Sequence, residues 1–199
     1  MTAIDAQEQL DFIKKVMDET RREITGDGID FMRWGILTSI GIFATYFIHL
    51  FRLPGDVIWM IWVAVVLVGW IFSIRSFMKY RKGRATSLTG KLVWRIWGGF
   101  GIAAIILGFV GPMSGAYGPE YIVAVLSAVM GATYYGTSTI FGSRWLQVFA
   151  VGWWCGSVIM FLFPVVHSLL LFGIMMIAFQ VIPGYNIYRA HKKGNAVTE

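Results

Sequence analysis

Side chains that could bind a small molecule concentrate in one apolar segment and in the two segments that follow it. These segments are long and apolar enough to cross a bilayer. Hydroxyl and amide groups inside a bilayer need hydrogen-bonding partners, so we expect them to face the interior of a helix bundle. They would either line a polar cavity that opens toward the cytoplasm or join the helices of a dry bundle by hydrogen bonds. The candidate cavity residues are Thr133, Tyr134, Thr137, Ser138, Gln147, Gln180 and Asn186.

Two imidazoles and two carboxylates lie near the outer ends of the apolar segments, at His49, Asp56, Glu120 and His167. Such groups bind transition metals, and the two histidines could serve as axial haem ligands, provided that the helices are adjacent. Acids are also favoured at the start of a helix, and histidines at a bilayer surface are commonly solvated. We therefore predict no cofactor and keep a metal or haem at the outer rim as the alternative.

Arginines beside tryptophans mark the inner ends of these segments, and Arg33, Arg75 and Arg95 are the candidates for an anion site. Several guanidinium groups that converge could bind a phosphate or a carboxylate, such as a lipid headgroup. The same residues are typical of positive-inside anchoring, in which long side chains reach the interface beside an aromatic belt. We favour anchoring as the interpretation.

Signatures of catalysis are missing from the sequence, so the chain is not expected to be an enzyme. It contains no HExxH, GxSxG, CxxC or Walker A motif. The single cysteine, Cys155, lies inside an apolar run and cannot form an intrachain disulfide. Gly152 and Gly156 form a GxxxG pattern around it, which serves close helix contacts either between two copies or within one bundle.

The segments that position these residues follow from composition and hydropathy. The 199 residues are 57% hydrophobic and 14% charged, whereas soluble domains are about 25% charged. This excludes a disordered chain, a disulfide scaffold and an ordinary soluble enzyme. Because the apolar runs have the length of membrane-spanning helices and do not alternate, the predicted fold class is all-α, a polytopic membrane bundle of six transmembrane helices over residues 28–190. The predicted spans are 31–51, 57–78, 92–111, 120–141, 145–163 and 167–189.

Residues 1–27 are predicted to form an amphipathic cytoplasmic helix in front of the bundle. Apolar residues recur there at alternating steps of three and four from Ala3 to Ile24, as in a coiled-coil stripe. Acids outnumber bases in this segment, whereas a helix that lies on an anionic membrane would be rich in Lys and Arg. We therefore expect residues 3–25 to pack on protein, either a partner or a second copy. Residues 191–199 are predicted to be a polar cytoplasmic tail.

The basic residues determine the predicted orientation in the membrane. With both termini in the cytoplasm, only Arg52 of the 17 lysines and arginines lies outside. The formal net charge of +6 does not indicate nucleic-acid binding, since the basic residues lie between hydrophobic spans rather than on a polar face. Short loops and this charge bias predict a multi-pass protein of a bacterial inner membrane.

Six short-looped helices with a basic inner side resemble, in size and topology, the substrate-binding subunits of energy-coupling-factor vitamin importers. The resemblance covers all six predicted spans and implies a ligand cavity that is open outward and lined by spans four to six. We predict an integral membrane protein that binds or transports a small molecule through a polar cavity near these spans. The alternatives are an accessory or regulatory subunit that docks a partner through the N-terminal helix, and an oligomeric pore lined by the fourth span.

Overall fold

The computed structural model of the chain describes residues 29–83 and 88–195. Every regular element within these two ranges is helical, which confirms the all-α class for the part of the chain described. The predicted amphipathic helix of residues 1–27 lies outside the described residues. So do residues 84–87, between the second and third predicted spans, and residues 196–199 of the predicted tail.

Seven longer helices make up this part of the chain. They are α1 (Ile29–Leu50), α2 (Ile58–Gly83), α3 (Leu88–Ile105), α4 (Ile122–Phe141), α5 (Arg144–Leu162), α6 (His167–Met176) and α7 (Ile182–Asn195). Single-turn 3-10 helices, Gly55–Val57 and Pro119–Tyr121, lead into α2 and α4. Because α7 continues to Asn195, the first part of the predicted polar tail is helical.

Five of the described helical stretches are long and apolar enough to cross a membrane, which indicates a membrane protein. They are Ile29–Leu50, Gly55–Ser76, Lys91–Met113, Arg144–Leu162 and His167–Asn186. Helix α4 has 20 residues but is not among them. Its second half carries threonines, serine and tyrosines, which lower its mean hydropathy.

Helices α4 and α5 form a tight antiparallel hairpin at the centre of the fold. The two-residue connection turns on Gly142, whose φ of 59° lies in the left-handed region that favours glycine. Ser127 Oγ donates to Trp153 O at 2.8 Å, and Ser157 Oγ donates back across the pair to Ala124 O at 2.8 Å. Small residues and hydroxyls of this kind hold helices together in lipid, where apolar surface alone does not favour association.

Tryptophans join α1 to α2 at two levels. Trp34 Nε1 donates to Ser73 Oγ at 2.7 Å, and Trp62 Nε1 donates to Thr45 Oγ1 at 3.2 Å. The Trp34 ring lies directly over Gly69, where a Cβ atom would overlap it. The glycine therefore allows the indole to reach its serine partner.

The buried core lies between α1, α4, α5 and the stretch formed by α6 and α7. Ile42 of α1, Ala124 of α4, Trp153 of α5 and Met176 of α6 are each exposed by 2% or less. Helices α2 and α3 are peripheral, since only 11% and 0% of their apolar stretches are buried. The four core stretches therefore position any internal site, and α2 and α3 cover it from one side.

Two π-helical segments each end two residues before a proline. Helix α3 continues through the π-helical segment Ile106–Val110 toward Pro112, and α6 continues through Ile177–Val181 toward Pro183. A proline has no N–H, so it cannot donate to the carbonyl of the preceding turn. A π turn accommodates this missing donor, and such turns are frequent at functional sites.

Tyrosine hydroxyls supply the donors that the two prolines lack. Tyr117 donates to the carbonyl of Leu107, five residues before Pro112. Tyr134 donates to the carbonyl of Phe179, four residues before Pro183, at 2.8 Å. Desolvation raises the pKa of Tyr117, which lies in the loop after α3, so its hydroxyl stays protonated and able to donate. Each helix irregularity is thus stabilised by a side chain from another part of the chain.

Candidate functional site

Three of the predicted cavity hydroxyls donate within their own helix. Thr133 Oγ1 donates to Val129 O at 2.8 Å, Thr137 Oγ1 to Thr133 O at 2.7 Å and Ser138 Oγ to Tyr135 O at 2.6 Å. All three residues are buried. The polar half of α4 therefore faces the bundle interior, but most of its hydroxyl hydrogens are already used along the helix.

Two of the predicted cavity residues lie away from the core. Gln147 on α5 and Asn186 on α7 are exposed at the surface of the fold. By contrast, Gln180 is 3% exposed and sits in the π-helical segment between α6 and α7. The structure thus buries Gln180 beside Gly35 of α1 and leaves the other two amides outside.

Tyr134 is the centre of an aromatic cluster and is fully buried. Its ring centroid lies 5.4 Å from that of Trp97, 6.1 Å from that of Phe31, and 6.4 Å from those of Phe149 and Trp153. Most of these rings meet edge to face, an arrangement that their quadrupoles favour. The phenol is therefore held by residues from α1, α3 and α5, while its hydroxyl reaches the last helical stretch.

Three buried polar atoms have no hydrogen-bond partner among the described residues: Ser39 Oγ, Trp97 Nε1 and Gln180 Oε1. A fourth buried donor, Trp153 Nε1, faces the Tyr134 hydroxyl and donates to it. We refer to these four residues together with Tyr134 as the polar cluster. An unpaired polar group in a low-dielectric interior is costly, so a set of three calls for a physical explanation.

Contacts along α1 bring the members of the polar cluster to the same region. A Cβ atom on Gly35 would lie 3.3 Å from Gln180 Cγ, so α1 passes directly beside that glutamine. Ser39 follows one turn later on the same face of α1. Phe31, one turn earlier, stacks edge-on against Trp97 with a centroid distance of 4.7 Å. One face of α1 therefore contacts Trp97 through Phe31 and lies beside Gln180 at Gly35.

The polar cluster contains donors and acceptors but no charge. The two indoles can only donate, the Gln180 oxygen accepts, and the Ser39 hydroxyl can do both. None of the five residues is acidic or basic, and none is a nucleophile activated by a neighbouring base. The cluster offers neutral hydrogen-bonding groups and no general acid–base pair for catalysis.

All three candidate anion-site arginines are exposed, and one of them is paired with an acid. Arg33 Nη1 pairs with Asp30 Oδ1 at 3.3 Å, and its guanidinium lies over the Phe72 ring at 5.5 Å. Asp30 Oδ1 also accepts a hydrogen bond from Ser76 Oγ at 2.9 Å. Arg75 and Arg95 are exposed. The Arg33–Asp30 pair thus joins the start of α1 to the second half of α2.

The candidate metal ligands are also not gathered into one site. His49, Asp56, Glu120 and His167 are all exposed, and His167 Nδ1 lies 3.3 Å from the Tyr46 hydroxyl. Across residues 29–83 and 88–195, no group of three or more His, Cys, Asp or Glu side chains could hold a metal ion. The hydrogen bond to Tyr46 joins His167 at the start of α6 to α1.

The GxxxG pattern on α5 serves contacts inside this fold. A Cβ atom on Gly152 would lie 2.8 Å from the Phe179 ring, and one on Gly156 would overlap the end of Met175. Both glycines therefore face the last helical stretch. The close approach brings Phe179 and the neighbouring Gln180 toward Trp153, whose ring centroid lies 5.8 Å from that of Phe179.

Sequence reasoning missed three members of the polar cluster, Ser39, Trp97 and Trp153. Trp97 was assigned to the interfacial aromatic belt, because tryptophans near the ends of spans are usually anchors. The spacing i, i+4, i+8 of Phe31, Gly35 and Ser39 places a small residue and a hydroxyl on one helix face. This pattern in the sequence could have identified Ser39.

Comparisons with known protein families, with curated proteins and with solved structures yield no match. The functional argument therefore depends on the chemistry of the residues themselves. Within the described residues, the polar cluster is the site that packing and membrane anchoring do not account for.

Proposed function

We propose that the chain is a six-span inner-membrane protein, with both termini in the cytoplasm, that binds a small molecule for transport at the polar cluster. Five helical stretches of sufficient length and apolarity support membrane insertion. The buried helix α4 would be the sixth span, sheltered from lipid by its neighbours. The distribution of basic residues supports the orientation.

The observation that carries the proposal is the set of three buried, unpartnered polar atoms, Ser39 Oγ, Trp97 Nε1 and Gln180 Oε1. Each such atom costs about 1–3 kcal/mol, so the set costs about 3–9 kcal/mol if it stays unpaired. Whole domains are stable by only about 5–15 kcal/mol. A bound molecule that hydrogen-bonds to several of these atoms would remove most of this cost. The free energy recovered in this way would contribute to its affinity.

The discontinuity in the last helical stretch supports a role in transport. Gln180 lies within the π-helical segment Ile177–Val181, and Pro183 follows it. Interrupted helices at mid-membrane form the substrate sites of many transporters, because their irregular backbone can change shape beside a cavity. The hydrogen bond from Tyr134 to Phe179 joins this discontinuity to the polar cluster.

The position of α4 does not favour a pore between subunits. Thr133, Thr137 and Ser138 are buried within a single chain. A pore on an oligomer axis would need such polar residues on an outer face of the bundle. The alternative of an accessory subunit depends on residues 3–25, which lie outside the described residues.

Native mass spectrometry tests the proposal on full-length protein released gently from the membranes in which it is made. We expect a discrete non-lipid mass on the wild-type protein and its loss from the variant Gln180→Leu. The variant Gln147→Leu is the matched control, because it makes the same chemical change on the exposed side of α5, and it should retain the mass. Equal retention by all three proteins, or no non-lipid mass on any of them, would contradict the proposal.

A further inference from the structure

Five basic side chains are exposed near one end of the bundle, and none of them forms an ion pair within the part of the chain that the structure describes. We refer to them as the basic face: Arg75 of α2, Lys91 and Arg95 of α3, Arg144 of α5 and Arg189 of α7. The same ranges contain three acids. Asp56 and Glu120 precede α2 and α4 at the opposite end, and Asp30 is already paired with Arg33. The charge of the basic face is therefore not balanced by the described residues.

The chain that precedes α1 leaves the bundle beside this face. Ser76 Oγ of α2 donates to Asp30 Oδ1 at the start of α1, at a distance of 2.9 Å. The Phe31 ring meets that of Trp97 of α3 with a centroid distance of 4.7 Å. Both contacts lie within two residues of a member of the basic face. A segment that precedes α1 therefore reaches this face without a long connection.

Residues 1–27 carry the charge that the basic face lacks. They contain seven of the chain's 11 acids and only four bases. Their predicted apolar stripe also needs a surface to cover. Leu92 and Trp145, each adjacent in sequence to a member of the basic face, are 37% and 41% exposed. A helix of this length would extend about 40 Å, several times the helix diameter of about 10 Å, so it could reach the ends of several neighbouring helices.

Two physical arguments favour the chain's own basic face as the surface that residues 1–27 contact. The covalent connection holds the segment at an effective concentration of millimolar order, which favours its own chain over a second copy. The surplus of acids disfavours contact with anionic lipid headgroups. We propose that residues 1–27 dock on the basic face of their own chain, with the acids toward its basic side chains and the apolar stripe on Leu92 and Trp145. This interaction goes beyond small-molecule binding and does not depend on it.

Carbodiimide cross-linking tests this docking, because the reagent joins a carboxylate and a lysine amine that are in contact through an amide bond. Full-length protein with natural nitrogen and with heavy nitrogen is mixed and reconstituted in liposomes of phosphatidylcholine and phosphatidylglycerol. Freeze–thaw cycles bring the reagent to both membrane surfaces, and mass spectrometry identifies the joined peptides. We expect Lys91 to be joined to acids of residues 1–27, with both peptides light or both heavy.

Variants and salt show whether charge drives the docking. Lys91→Arg keeps the charge but removes the reactive amine, so these cross-links should vanish. Arg95→Glu should lower their yield about threefold, as for the loss of one exposed ion pair. Arg52→Glu is the matched control at the opposite end of the bundle and should leave the yield unchanged. Raising the salt concentration from about 0.1 M to about 1 M shortens the Debye length from about 10 Å to about 3 Å and should also lower the yield.

Each contrary outcome identifies a different error. Light–heavy pairs in the proportion expected for random pairing would assign the segment to a second copy and overturn docking on its own chain. Cross-links that form in phosphatidylcholine alone but not in the mixed liposomes would assign the basic face to lipid headgroups. No cross-link between Lys91 and residues 1–27, or a yield that neither Arg95→Glu nor salt lowers, also overturns the proposal. None of these results changes the non-lipid mass by which the proposed function is judged.

Discussion

Replacement of Tyr134 by phenylalanine removes a hydroxyl that reaches the second π-helical segment. In the structure this hydroxyl donates to Phe179 O at 2.8 Å. Pro183, four residues later, has no N–H with which to bond the same carbonyl. The variant Tyr134→Phe therefore leaves a buried acceptor without its side-chain donor, while the ring and its packing remain in place.

The expected destabilisation follows from these contacts. A hydrogen bond between helices in a membrane contributes about 0.6–2 kcal/mol, and a buried acceptor that loses its partner costs about 1–3 kcal/mol. Because no atoms of the ring are lost, no cavity is formed, and Tyr134→Phe should reduce the free energy of unfolding by about 1–3 kcal/mol. The variant Tyr134→Ala also removes the contacts with Trp97 and Trp153, and should cost about 3–5 kcal/mol.

Reversible denaturation in mixed detergent micelles, followed by tryptophan fluorescence, measures both variants. The variant Tyr135→Phe is the matched control, because Tyr135 is the next residue of α4 but is 50% exposed. Its free energy of unfolding should stay within about 0.5 kcal/mol of wild type. The reasoning would be refuted if Tyr134→Phe were as stable as wild type, or if Tyr135→Phe lost as much stability as Tyr134→Phe.

Three further predictions follow from the packing of the helices. Replacing Pro183 by alanine restores a backbone donor to the second π-helical segment, so Tyr134→Phe should cost less in that background than in wild type, measured by a double-mutant cycle. Gly69→Ala should destabilise the protein by about 1–3 kcal/mol, because its Cβ would overlap the Trp34 ring. Gly98→Ala should stabilise the protein by up to about 1 kcal/mol, because its Cβ meets no atom within 4 Å. Thermal unfolding of the two variants distinguishes the opposite signs of these effects. In a cysteine-free background, Met113→Cys should react with a membrane-impermeant maleimide in intact cells, and reaction only after permeabilisation would reverse the proposed orientation.

The helical architecture could be predicted because the bilayer imposes it. Backbone groups in hydrocarbon must pair within their own segment, so long apolar runs become helices whatever their neighbours are. The need of polar side chains for partners likewise pointed to Tyr134 and Gln180, which the structure buries. These inferences required only the local sequence and the properties of the lipid bilayer.

The remaining features depend on how each helix is rotated about its axis, which hydropathy does not fix. Gln147 and Gln180 have the same chemistry, yet only Gln180 turns toward the core. Trp97 has the sequence context of an anchor, but its ring packs against Tyr134. The π-helical segments have a local cause in Pro112 and Pro183, although a proline is equally compatible with a loop or a simple kink.

An experimental structure of the protein in lipid nanodiscs, at a resolution that shows ordered small molecules, tests the central claim most directly. The account predicts non-protein density, larger than a water molecule, within hydrogen-bonding distance of Gln180 Oε1 and of the Trp97 indole nitrogen. Density of water size alone, or hydrogen bonds from other side chains to both of these atoms, would contradict the claim that this site binds a small molecule.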